Sequence, residues 1–371
     1  MEWKIGMTTE DKKSFYLYVT SHDATMSESI QVFRWNGGTG DIDPVLGHTG
    51  GLLQPLYIET DCKHQFLFAT DFMNACNDQS GGGVCSFAID RTTGKLSFIN
   101  RQPAGDDAPC YLSVTENGDL LLLANYLSGT IKVYPISPDG HIGTMATTYQ
   151  QEGASVNAAR QEGPHPHSIV LSPDNRHAFS PDLGADRVYL YQVDASCKGL
   201  IPNNPPYIKV APGGGPRHLR FDAHAHRAYL VNELSNTIVT YAYDIDSGYI
   251  TELQTVSTLP PDFQKDNLSA ELLIHPNGRF LYTSNRGHDS IAVFAIEQAT
   301  GHLAPIGHTS TQGDFPRAFI LDPSGRFLIA ANEYTDSIVI FHIDGESGML
   351  QPTGQQLNVP RPASLKWVPV A

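Results

Sequence analysis

Pro216-Arg217-His218-Leu219-Arg220-Phe221-Asp222, followed by Ala228-Tyr229-Leu230-Val231-Asn232-Glu233 and Thr237-Ile238-Val239-Thr240-Tyr241, is written again as Pro316-Arg317-Ala318-Phe319-Ile320-Leu321-Asp322, Phe327-Leu328-Ile329-Ala330-Ala331-Asn332-Glu333 and Ser337-Ile338-Val339-Ile340-Phe341. Between them stands a third copy, from Ala270-Glu271-Leu272-Leu273-Ile274-His275 through residues 280–286 and 290–294. A repeat of this length means that one supersecondary unit is stacked on copies of itself. The turn that ends the first run of each copy can be followed at Asp61, Thr115, Ser172, Asp222, His275 and Asp322, at intervals of 47 to 57 residues.

Each copy carries four short runs. The first ends in a turn such as Ser172-Pro173-Asp174-Asn175 or His275-Pro276-Asn277-Gly278, where proline fixes φ and Asn or Gly accepts a positive φ. The second and third are rich in Tyr, Phe, Val and Ile, which suit a packed, pleated surface. A further turn at Gly94, Gly248, Gly301 or Gly348 leads into a weaker fourth run. No window sustains a period of 3.6, so helices should be few. Four antiparallel strands repeated around a ring make a β-propeller. The expected fold is all-β, a single seven-bladed propeller over residues 1–371, with residues 1–14 as an extension or cap. The first copy begins at its second strand, residues 15–20, and the chain ends in a lone first strand, residues 364–368. Pairing the two closes the ring and removes an exposed sheet edge.

The 33 glycines and 25 prolines fit a turn-dense all-β chain, since 40% of the residues are hydrophobic. A net charge of −15 argues against nucleic acid as a partner. No apolar run is long enough for a membrane helix. Five cysteines, at 62, 76, 85, 110 and 197, lack metal-ligand spacing and read as free thiols of a cytoplasmic protein. The expected partner is a small anionic molecule, the expected state a monomer or weak homo-oligomer, with no metal and no cofactor.

The innermost strands of a propeller line its channel, and equivalent positions of the repeats meet where those strands begin and the second strands end. This collects His167, Arg217, Arg286 and Arg317 beside Asp182, Glu233, Glu271 and Glu333 at one mouth, with His218 behind them and His22 reaching in from the first blade. Strand ends need small or apolar residues for packing, so this concentration of charge exceeds structural need. On a strongly acidic protein, clustered Arg and His form a trap for an anion, and the guanidinium fork matches carboxylate or phosphate. The asparagine column Asn125, Asn232, Asn285 and Asn332 reads as structural, because Asn at strand ends bonds the backbone. His165 and His167, two apart on an extended segment, point to opposite sides and do not form a metal pair.

The segments Gly163-Pro164-His165-Pro166-His167-Ser168, Gly213-Gly214-Gly215-Pro216-Arg217-His218 and Ser284-Asn285-Arg286-Gly287-His288-Asp289 resemble the seven-bladed lactonase family, which groups propeller-type 6-phosphogluconolactonases with the fungal 3-carboxy-cis,cis-muconate lactonizing enzyme. By that resemblance the catalytic residues are His167, Arg217, Glu233 and Arg286; the alignment of the repeats adds Asp182, His218, Glu271, Arg317, Glu333 and His22 as the expected substrate-binding residues. The resemblance implies hydrolysis of a sugar lactone, most naturally 6-phosphogluconolactone in the pentose phosphate pathway, with Glu233 or His167 as the base that orients water. Within the family the alternative is muconate-type lactonizing chemistry; outside it, a non-catalytic propeller that binds a protein or a small anion. Members usually read Gly-Thr-Tyr-Thr at the end of the first repeat's opening strand. Here Thr20-Ser21-His22-Asp23 changes that wall of the mouth, and residues 74–83 are expected to form a longer loop over it.

Overall fold

The computed structural model describes residues 14–23, 29–45, 52, 54–72, 81–105, 108–194 and 199–371. Residues 1–13 of the expected extension, most of the 74–83 loop, Cys76 and Cys197 lie outside the described residues, and Ser14 already belongs to the first strand. The described strands form seven four-stranded antiparallel sheets, arranged as the blades of a propeller. The first blade is built from Ser14–Ser21, Ile30–Asn36 and Ile42–Pro44, and the last strand of the chain, Pro362–Pro369, pairs beside Ser14–Ser21 as its innermost member. The ring therefore closes by joining the two ends of the chain.

The closure is packed as well as hydrogen-bonded. Trp35 and Trp367 of the first blade meet Phe327 of the seventh, with Trp35 edge-on to Phe327 at 5.2 Å. The indole N–H of Trp367 donates to the Leu321 carbonyl at 2.8 Å, so this buried polar group is satisfied. Elsewhere the second and third strands of each blade carry nearly unbroken buried runs, such as Phe327–Asn332, because both faces of a blade press against neighbouring blades.

In six of the seven blades a turn glycine docks the blade onto the one before it. At Gly348 (φ 73°) an added Cβ would lie 2.6 Å from the Phe280 ring of the preceding blade. Gly40, Gly94, Gly140, Gly248 and Gly301 repeat the arrangement against Phe327, Tyr16, Phe66, His177 and Arg227. Several of these glycine carbonyls also accept an inter-blade bond, as from the Tyr282 hydroxyl to Gly348 at 2.9 Å and from the Tyr229 hydroxyl to Gly301 at 3.0 Å. The glycine that the sequence shows as a turn signal is thus also the contact that sets blade spacing.

Candidate active site

The innermost strands of blades five and seven, Pro216–Phe221 and Pro316–Leu321, each begin with a β-bulge. Pro216 pairs with Asn232 and His218 with Val231, which leaves Arg217 as the extra residue; Arg317 is left over in the same way between Pro316 and Ala318. A bulge kinks the strand and re-aims a side chain. The second strand of blade five, Arg227–Asn232, is followed by Glu233, whose N–H donates to the Gly215 carbonyl at 2.7 Å. Gly215 (φ 67°) permits this, since a Cβ there would fall 2.5 Å from Leu234. Arg286 ends the equivalent strand of blade six, Phe280–Arg286.

These elements converge on the Glu233 carboxylate. Arg217 Nε lies 3.0 Å and Arg286 Nη2 2.7 Å from its Oε2, and His167 Nε2 stands 3.9 Å from the same oxygen. All four side chains are buried. Arg160 Nη2 takes the other oxygen, Oε1, at 2.8 Å, and reaches the Tyr126 hydroxyl at 3.3 Å. The sequence reading missed Arg160 and Tyr126. Arg160 lies in an irregular crossing between blades three and four, residues 151–166, and the 57-residue interval from Thr115 to Ser172, the longest of the set, was its trace in the sequence.

Burial alone would raise the Glu233 pKa. Arg286 and Arg217 outweigh it and hold the carboxyl well below its ordinary range. Burial, with Arg217 beside it, drives His167 well below its usual value, so the ring is neutral at physiological pH. Its Nδ1 is buried without a hydrogen-bond partner. Burial and Arg286 bring Arg217 down to about 9, and burial lowers Arg286 as well. The two guanidinium ions remain under-neutralised even with Glu233 between them.

A second carboxylate stands across the mouth. Glu333 Oε1 receives Arg361 Nη2 at 2.7 Å and meets His22 Nδ1 at 3.3 Å. Arg317 Nη1 approaches Oε2 to 3.8 Å, beyond hydrogen-bond range, and that oxygen is buried without a partner. Arg361, in the turn before the closing strand, is a further residue the sequence reading missed. Its place in the first blade's incomplete copy hid it.

Three expected site residues, Asp182, Glu271 and His218, are placed elsewhere. Asp182 Oδ1 accepts the backbone N–H groups of His165, Gly184 and Ala185 at 2.7 to 3.0 Å, so this carboxylate braces the segment that carries His167 rather than facing a ligand. Burial raises its pKa to about 6. Glu271 lies deeper in the channel and is consumed there, since its Oε1 meets His218 Nδ1 at 3.0 Å and Arg220 Nη2 at 3.0 Å. His218 belongs to that layer, with its Nε2 only 3.2 Å from Arg217 Nη1. A cavity of about 560 Å³ runs along the channel past these residues to His167, Arg217 and Arg317. The asparagine column is structural: Asn125 and Asn232 donate to Thr130 and Thr237 across their hairpins, and Asn285 donates to the Thr258 carbonyl. Among the described residues no group of His, Cys, Asp and Glu is placed to hold a metal ion.

With this geometry in view, the comparisons with known proteins point one way. The family model "Lactonase, 7-bladed beta-propeller" matches residues 16–367. A Bacillus subtilis protein named 6-phosphogluconolactonase is 34% identical over 266 residues, 72% of this chain and 73% of its own length. A Formosa agariphila protein of the same name is 30% identical over 303 residues, 81% of this chain and 84% of its own. The solved structure of the Pseudomonas aeruginosa periplasmic gluconolactonase superposes with a TM-score of 0.91 at 32% identity, over 96% of this chain and all of that one. The chain belongs to the seven-bladed β-propeller lactonase family.

Proposed function

We propose that this mouth hydrolyses a phosphorylated sugar lactone, 6-phosphogluconolactone, to its open acid, 6-phosphogluconate. The observation that carries the reading is the charge around the cluster. Five arginines, Arg160, Arg217, Arg286, Arg317 and Arg361, face the two carboxylates of Glu233 and Glu333. Such a site on an acidic protein accepts an anion, and a phosphate monoester supplies more charge than a single carboxylate. The names carried by the relatives support the same substrate.

The roles follow from the electrostatics. Glu233 is a poor base, because both its oxygens are already engaged by arginines. Neutral His167 is better suited. It accepts a proton from water as the oxygen adds to the lactone carbonyl carbon. Glu233, 3.9 Å away, then steadies the imidazolium that forms. Arg217 and Arg286, fixed before the substrate arrives, stabilise the tetrahedral oxyanion. The ring C–O bond breaks, and the imidazolium returns its proton to the leaving alkoxide. The carboxylic acid product ionises and releases one proton. Arg160, Arg317, Arg361 and His22 hold the phosphate. No step requires a metal or a cofactor.

Cys62 and Cys110, free thiols among the described residues, support a reducing cytoplasm and a place in carbohydrate metabolism, although the Pseudomonas neighbour is periplasmic. The direct test is proton release on lactone opening, followed with a pH indicator against the spontaneous reaction and repeated with muconates. Acceleration confined to sugar lactones upholds the reading. Turnover of muconates alone replaces it with lactonizing chemistry, and no acceleration of either replaces it with a binding role.

A further inference from the structure

The residue before the leading proline of the innermost strand is left-handed in blades five and seven and before the strand that closes the first, at Gly215 (φ 67°), Phe315 (62°) and Arg361 (41°). In each case it joins two blades. Its carbonyl accepts the N–H of the residue that follows its own blade's second strand: Glu233 at 2.7 Å, Glu333 at 3.0 Å and His22 at 2.8 Å. All three belong to the mouth. Its N–H donates to a carboxylate of the blade before: Gly215 to Asp186 Oδ1 at 2.7 Å, Phe315 to Asp289 Oδ1 at 3.0 Å and Arg361 to Asp336 Oδ1 at 2.8 Å.

Asp186, Asp289 and Asp336 occupy one position of the repeat, immediately before the third strand, and all are left-handed, with φ of 49°, 52° and 51°. A Cβ is penalised in that region, and glycine escapes the penalty. Gly129 (φ 70°) holds the same position in blade three. The backbone task there needs no side chain. The carbonyls of Gly129, Asp186, Asp289 and Asp336 each accept, at 2.9 Å, the N–H of the residue that follows the fourth strand. The carboxylate adds the hold on the next blade. At Asp186 it does more, since Oδ2 also accepts the Gly213 N–H at 2.6 Å and the Ser155 hydroxyl at 2.5 Å, from the crossing that carries Arg160.

We propose that Asp186, Asp289 and Asp336 are positioning residues, through which each blade sets the site residues of the next. Asp186 aligns Glu233 and Arg217, on the oxyanion side of the mouth. Asp289 aligns Glu333 and Arg317, and Asp336 aligns Arg361 and His22, on the phosphate side. That division of the mouth rests on the function proposed above. Arg217 and Arg317 each stand two residues beyond the held peptide unit, at a bulge, so a displaced unit carries the guanidinium with it.

The three positions are compared as glycine variants, which keep the left-handed backbone and remove only the carboxylate. kcat and KM are measured on 6-phosphogluconolactone and gluconolactone, beside a calorimetric titration of inorganic phosphate. Asp186→Gly should lower kcat on both lactones by about tenfold. Asp289→Gly and Asp336→Gly should raise KM for the phosphorylated lactone and weaken phosphate by about tenfold, with KM for gluconolactone changed by less than about twofold. Asp289→Asn and Asp336→Asn should restore wild-type values, because an amide oxygen accepts the same N–H, as Asn236 Oδ1 does from Ser269 at 3.1 Å. A residue that only held blades together would alter all three variants alike. The same pattern of kcat and KM at all three positions therefore overturns the proposal, as do wild-type kinetics throughout. If Asp186→Gly fails to fold, the contrast between Asp336→Gly and Asp336→Asn decides. A wild type that binds phosphate but opens neither lactone contradicts the function proposed above, and phosphate then judges the carboxylates: weaker binding in Asp289→Gly and Asp336→Gly upholds them, and unchanged binding overturns them. A wild type that neither opens a lactone nor binds phosphate contradicts both.

Discussion

Arg217 and Glu233 meet across a β-bulge, Nε to Oε2 at 3.0 Å, with both side chains 3% exposed. The bulge makes Arg217 the unpaired residue of its strand, and Glu233 is the first residue beyond the strand it pairs with. Neither charge can leave this contact for water, so each depends on the other and on Arg286.

Arg217→Ala should lower kcat/KM by roughly ten- to a hundredfold or more, since a charge-assisted contact contributes about 1.5–3 kcal/mol. Arg217→Lys should rescue only part, because an ammonium lacks the fork. Glu233→Gln leaves Arg217 and Arg286 buried without their anion. It should destabilise the fold by about 3–5 kcal/mol and reduce kcat more than it raises KM. Thermal melting beside steady-state kinetics checks both. A Glu233→Gln protein with wild-type melting would show that the cluster does not need its carboxylate.

Arg160 is the most exposed of the guanidinium groups on Glu233 and lies on an irregular crossing. Arg160→Ala should raise KM for a phosphorylated lactone by about tenfold with little change for the unphosphorylated twin, as expected of a partly solvated charge contact. An equal loss on both substrates would assign Arg160 to holding Glu233 rather than to phosphate.

The pH response has a definite sign. Burial lowers His218 from 6.5 to about 4, so the unfolded chain binds this proton first as the solution is acidified. That stability is present above pH 6.5 and is lost as pH falls towards 4, and the loss is on the order of 3 kcal/mol. Glu271 and Glu333 are held at about 2 against 4.5 despite burial, by His218 and Arg220 for one and by His22 and Arg317 for the other. Their contribution is present above 4.5 and is lost as pH falls through about 2. Melting temperature should therefore fall continuously below pH 6.5, and His218→Gln should flatten the upper part of that fall. In the same way kcat/KM should hold below pH 6.5, because His167 stays neutral there. An activity lost at the ordinary histidine pKa would remove His167 as the base.

The repeat made most of this architecture legible. Four strands per copy, the turns, and the missing first strand that Pro362–Pro369 supplies all follow from patterns within a single unit. Side chains at equivalent positions of different copies also converge in space, which is why His167, Arg217, Glu233 and Arg286 were readable as a group. Repeat alignment failed where the chain leaves the repeat. Arg160 sits in a crossing with no counterpart in other blades, and Arg361 belongs to the copy split between the two ends. It also could not distinguish a carboxylate that faces a ligand from one already engaged. Asp182 shares the strand-end position with Asn232, yet its oxygen is taken by three backbone N–H groups.

Gly348→Ala tests the docking of blades. The Cβ would meet Phe280 at 2.6 Å from a backbone with φ 73°. A loss of about 1–3 kcal/mol is expected from strain and overpacking. Removal of residues 361–371 should be more severe, because it opens the ring beside Ser14–Ser21 and exposes Trp35. A truncated protein that melts like the full chain would contradict closure by the terminal strand.

The central claim is that the arginine-rich mouth hydrolyses a phosphorylated lactone. It is tested most directly by kcat/KM for 6-phosphogluconolactone and for gluconolactone, each corrected for spontaneous opening, with wild type and with Arg217→Ala. The account predicts that wild type prefers the phosphorylated lactone by at least about tenfold, and that Arg217→Ala reduces both rates, as loss of an oxyanion donor should. Wild-type rates no faster than the spontaneous reaction on either lactone, or rates untouched by Arg217→Ala, would contradict it.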